Sequence, residues 1–144
     1  MRKFQISEDL DKWINLHEPF LPVISFIKQS QDKGFKIGII STKNKLFTSN
    51  ILRKFNIYPE LVFGYQDGTK VKIVSNLINE YEIIGFIEDR RNTLINIIEN
   101  KKTNQTKCFL AEWGYLKKSD TVNLPKEITL IKLKDLQNLL AYSD

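Results

Sequence analysis

The chain has 144 residues, 42% hydrophobic and 27% charged, which suits one ordinary globular domain with a single core. Its 22 Lys+Arg outnumber its 17 Asp+Glu for a formal charge of +5. The lysines are scattered in pairs such as Lys101–Lys102 and Lys117–Lys118, with no basic stripe interleaved with aromatics, so a nucleic-acid partner is not expected, although anionic ligands such as phosphates are favoured.

The first ten residues are polar, and no stretch approaches the roughly 18 apolar residues of a membrane span, so a cytoplasmic location away from membranes is expected. The spacing of Leu10, Trp13, Ile14 and Leu16 predicts a helix over 8–17, with Asp9 and Asp11 in its first turn. A second helix follows over 20–33, and Gly34 suits its C-terminal cap. Apolar runs then predict strands at 36–41, 61–64, 83–88, 107–112 and 128–131. Helices with i, i+3/i+4 apolar faces are predicted between them at 45–56, 70–81 and 90–100, and a last one at 134–142. Strands alternating with helices, and nearly continuous in apolar residues, predict a three-layer αβα, Rossmann-like fold around a parallel sheet, in one domain over 1–144. The single cysteine excludes an internal disulfide and a cysteine zinc site. Its setting, Cys108-Phe109-Leu110-Ala111, predicts a buried thiol.

Chemistry in open parallel sheets gathers at the carboxyl ends of the strands. Ser41-Thr42-Lys43-Asn44 follows the first apolar strand, and Glu88-Asp89-Arg90-Arg91 follows the third. Gly68-Thr69-Lys70 opens a helix between them. A hydroxyl and backbone amides at such a turn can hold phosphate oxygens, and a lysine can neutralise a phosphoryl group. Paired carboxylates can hold Mg²⁺. Each element alone has an ordinary explanation. Ser41-Thr42 can cap the following helix, Lys70 can be a solvated first-turn side chain, and an acidic pair is usually surface. Arg90 and Arg91 are expected at the surface. His17, Trp113 and Tyr115 are expected to pack rather than react. The glycines form no dinucleotide fingerprint.

Their order resembles the haloacid-dehalogenase (HAD) family. The matching pieces are Ile37-Gly38-Ile39-Ile40-Ser41-Thr42-Lys43, Gly68-Thr69-Lys70 and Gly85-Phe86-Ile87-Glu88-Asp89-Arg90. It is most similar to a cyanobacterial branch, through Ile14-Asn15-Leu16-His17 with Pro22 and Ala111-Glu112-Trp113-Gly114-Tyr115. The resemblance implies Mg²⁺-dependent phosphatase chemistry on a phosphorylated small molecule. Ser41, the Thr42 amide and Lys70 would bind phosphate, with Lys72 as a substitute for Lys70, and Glu88 and Asp89 would position the metal. It also implies a sheet order of 5-4-1-2-3, whose central strand ends in Asp-x-Asp.

No strongly apolar strand precedes residue 36, so the expectation is an incomplete HAD core. The nucleophile strand and cap would be absent, and the chain would be inactive alone. Three outcomes are open for the gap: a complementing N-terminal fragment or self-association fills it, the two neighbouring strands pair directly, or residues 3–7 slot in poorly. In an alternative reading, Asp9-Leu10-Asp11 supplies the nucleophile and the acid/base of a compact enzyme. In another, the domain is noncatalytic and captures a partner along its open strand edge.

Overall fold

A computed structural model describes residues 2–7, 21–42, 44–114 and 116–141. Its sheet has the order β3-β2-β1-β4-β5-β6. The strands are β1 (Arg2–Ser7), β2 (Lys36–Ile40), β3 (Leu61–Phe63), β4 (Glu82–Glu88), β5 (Cys108–Ala111) and β6 (Ile128–Ile131). Every pairing is parallel. The helices are α1 (Leu21–Asp32), α2 (Lys45–Arg53), α3 (Lys70–Ile78), α4 (Arg91–Glu99) and a short α5 (Asn138–Ala141).

Because side chains alternate along a strand, each buried strand feeds two cores. Ile37 and Ile39 of β2, Ile87 of β4 and Ile131 of β6 join α1 and α2 on one face, through Val23, Phe26, Ile27, Ile51 and Leu52. Ile40, Phe86, Cys108, Leu110 and Ile128 meet Ile73, Val74 and Leu77 of α3 and Leu94 and Ile97 of α4 on the other. Fully burying a side chain such as Phe86 contributes about 1.5–3 kcal/mol. The result is the αβα sandwich that the alternation predicts.

Of the outcomes open for the centre of the sheet, the structure shows the one in which residues 3–7 take the place. The sheet has no gap at its centre. β1 lies there, pairing Phe4 with Ile37 and Ile6 with Ile39 on one side, and Ile6 with Ile87 on the other. Strands β2 and β4 would otherwise each present a row of unsatisfied backbone donors and acceptors, a cost that outweighs the polar alternation of Lys3, Gln5 and Ser7. The order is that implied by the resemblance, with Arg2–Ser7 in the central place. The predicted helix over 8–17, and with it Asp9, Asp11 and His17, lies outside the described residues.

Smaller differences sit at element ends. The helix predicted over 45–56 stops at Arg53, because Asn56 takes φ +58 and turns the chain. The last helix divides into a 3₁₀ turn at Leu133–Asp135 and the short α5. Gly34 does close α1, at φ +91, with its N–H donating to the Gln31 carbonyl and that of Phe35 donating to Ser30.

Burial pushes the Cys108 thiol up to about 12 from 9.0. In the unfolded chain the thiol ionises near its ordinary value, so the folded state loses stability as pH rises from 9.0 toward about 12. Urea titrations on either side of pH 9.0 should show this slope reduced in Cys108→Val. Iodoacetamide should label Cys108 only after unfolding, because the neutral thiol is a poor nucleophile.

Candidate functional site

Ser41, Lys70, Glu88 and Asp89 gather at the carboxyl rim of the sheet. Ser41 directly follows β2 and Glu88 ends β4, with β1 between them. Ser7 pairs with Ile40, and Ile6 with Ile87, so the two strand ends stand at the same height, about 10 Å apart at ordinary strand spacing. Ser41 is buried at 3% exposure, and its N–H donates to the Phe63 carbonyl at 2.9 Å.

The helix-capping role open to Ser41 and Thr42 falls instead to Asn44, whose Oδ1 accepts from the Leu46 N–H at 2.8 Å. Thr42 is exposed. Lys70 is brought in by a built turn. The Asp67 carboxylate accepts from the Gly64 N–H at 2.8 Å, Gly68 turns the chain at φ +108, and Thr69 caps α3 by accepting from the Lys72 N–H. Glycine is needed at 68 because an L side chain is strained at that φ.

From the first residue of α3, Lys70 reaches the rim. Its Nζ donates to Glu88 Oε1 at 2.6 Å, with side-chain exposures of 11% and 0%. The other Glu88 oxygen accepts the N–H of Asp89 at 3.0 Å. Lys70 is therefore a half-buried partner of Glu88 rather than a solvated first-turn side chain, while Lys72 is exposed. Asp89 is 2% exposed. The strand end thus brings two carboxylates and one ammonium together. Such a cluster fits a divalent cation of the Mg²⁺ kind, which takes one or two carboxylates and fills its remaining positions with water and phosphate oxygens. No group of three or more His, Cys, Asp or Glu side chains suited to a metal occurs among the described residues.

Two features of the rim escape the sequence reading. Arg91 does not face a ligand. Its guanidinium donates to the carbonyls of Ser119, Asp120, Val122 and Asn123 at 3.2, 3.2, 2.6 and 3.1 Å, tying the β5–β6 connection to the start of α4. Gly114, in the turn after β5, packs directly on Asp89. A glycine shortly after a strand is a general signal of close backbone approach, but nothing in the sequence says what approaches. Trp113 packs against the α1/α2 core, as its sequence setting predicts.

A parallel αβα sheet with a serine, a lysine and an acidic pair on one carboxyl rim is a Rossmann-like architecture. No family model matches the chain. It is 29% identical over 129 residues to the phosphoglycolate phosphatase of Aquifex aeolicus (strain VF5), covering 82% of this chain and 60% of the relative. Its fold matches a crystal structure from Clostridium acetobutylicum assigned by prediction as a phosphatase, at TM-score 0.64 and 18% identity, covering 82% of this chain and 57% of that one. It also matches a structure from Thermotoga maritima assigned as a β-phosphoglucomutase, at TM-score 0.64 and 8% identity, covering both chains fully. The chain thus spans about three-fifths of the curated relative's length. Together these likenesses show an α/β fold shared with the two solved structures and a likeness in sequence to a phosphatase. No helix among the described residues is long and apolar enough to cross a membrane.

Removing Lys70 should be costly, because it takes the short ammonium contact from a Glu88 side chain with no exposure. Lys70→Met should destabilise the domain by about 3–5 kcal/mol, and Lys70→Met/Glu88→Gln should recover most of that loss. Urea denaturation of the single and double variants measures both.

Proposed function

We propose that this chain carries the phosphate- and metal-binding part of a HAD-type phosphohydrolase site, and that alone it binds these groups with little or no turnover. The observation that carries the reading is the half-buried Lys70–Glu88 pair at 2.6 Å, set beside Asp89 at the end of the strand two places from Ser41. In this reading Ser41 and the Thr42 amide hydrogen-bond phosphoryl oxygens. Lys70 lends its ammonium to the phosphoryl group while holding Glu88 in place. Asp89 and Glu88 position Mg²⁺, which when bound supplies charge neutralisation for the phosphoryl group. The phosphatase kinship of the Aquifex relative supports the substrate class, a phosphorylated small molecule.

The weak turnover follows from the residues of the central strand. A strand buried on both faces is ordinarily continuously apolar, yet Lys3, Gln5 and Ser7 alternate with Phe4 and Ile6. Such a strand is poorly suited to hold a nucleophile in register. A second reading draws on the position of β1 itself. The strand is central and ends at Ser7, two residues before Asp9. Asp9 would then attack phosphorus, and Asp11 would donate and accept the proton.

Hydrolysis of p-nitrophenyl phosphate with and without Mg²⁺ separates the two. The first reading expects no Mg²⁺-dependent rate above that of Asp9→Asn. Clear turnover that falls about a hundredfold or more in Asp9→Asn would establish the second. In either case Asp89→Asn should weaken Mg²⁺ binding measured by calorimetry.

A further inference from the structure

A methyl group built on Gly114 would lie 2.7 Å from Asp89 Oδ2 and 3.0 Å from its Cγ, and nearer still to its Cβ. No real Cβ tolerates these contacts, so any residue but glycine must push Asp89 aside. The glycine is itself held. Its N–H donates to the Ala111 carbonyl at 3.2 Å, and its carbonyl accepts from the Leu116 N–H at 3.0 Å.

Beyond it, Leu116 and Leu124 pack into the α3/α4 core. The segment between those leucines is gathered by Arg91, two residues past Asp89 in sequence, through four carbonyl contacts. One stretch of chain thus touches the acidic pair from above through Gly114 and grips its helix through Arg91. Asp89 itself is 2% exposed.

We propose that Gly114 is a positioning residue for the Asp89 carboxylate, and that Arg91 anchors the segment that carries it. The inference rests on the metal-binding reading above. Gly114 acts by the space it leaves: its bare backbone lets the β5–β6 connection close on Asp89 without displacing the carboxylate. Arg91 acts by fixing that connection in place. A cation bound at the acidic pair would sense both through the orientation of Asp89.

The test measures Mn²⁺ affinity of the full chain by loss of the free-ion electron paramagnetic resonance signal. Partners that orient a metal ligand typically govern affinity by 10–100-fold, so Gly114→Ala should bind Mn²⁺ about tenfold or more weakly. Arg91→Ala, which adds no atoms beside Asp89, is the second variant should Gly114→Ala not fold; it should bind about threefold or more weakly. Leu77→Ala, which opens the α3 core without touching Asp89, should keep the wild-type affinity despite its lower thermal midpoint. Wild-type affinity in both Gly114→Ala and Arg91→Ala, or an equal loss in Leu77→Ala, would overturn the inference while leaving the metal reading standing. Absence of Mn²⁺ binding by the unmutated chain would overturn both.

Discussion

Two adjacent carboxylates at the end of an apolar strand stay buried only if their surroundings supply donors and opposite charge. Glu88 and Asp89, at 0% and 2% exposure, impose that requirement on the whole carboxyl rim. Lys70 meets part of it from α3, across 18 residues of sequence, and the Asp89 backbone N–H meets another part. The turn at Gly64–Thr69 exists in the form it does because it must deliver that lysine from the end of β3, at one edge of the sheet, to β4 on the far side of β1. Were α3 to start a residue later or earlier, the first-turn side chain would point about 100° away and miss Glu88.

The same requirement accounts for the economy of the neighbouring loops. Asn44 caps α2, which leaves Ser41 out of helix capping, and Arg91 serves the β5–β6 connection rather than the solvent. Helix ends and loop carbonyls are thereby satisfied by side chains next to the rim, so the rim itself is assembled from rigid strand ends and first helical turns. Sites built on such elements hold their geometry better than sites on free loops. The phosphatase likeness of the Aquifex relative and the fold likeness of the Clostridium and Thermotoga structures are consistent with chemistry at this rim, where α/β sheets place their ligands.

Much of this was legible in the residues. The strands at 36–41, 83–88 and 107–112 follow from nearly continuous apolar runs. The helices at 45–56, 70–81 and 90–100 follow from apolar spacing, because burying a stripe or both faces of a strand leaves a periodic mark. Ser41, Lys70, Glu88 and Asp89 could be singled out because each stands where a strand stops or a helix starts. The central strand was not legible. Arg2–Ser7 carries the alternation of a strand with one wet face, and it is the backbone demand of its two neighbours that draws it into the middle.

The sequence by itself determined the layered α/β class, the two-sided core and the rank order of polar residues at the strand ends, because these depend on local period and local composition. Tertiary structure alone decided that Lys70 is bonded to Glu88, that Asn44 and not Ser41 caps α2, that Arg91 holds a loop, and that Gly114 lies on Asp89. Each of those is a contact between residues far apart in the chain, or a choice among equally suited neighbours. Such contacts are set by how strands and helices stack in space, a distance that no local pattern of residues encodes.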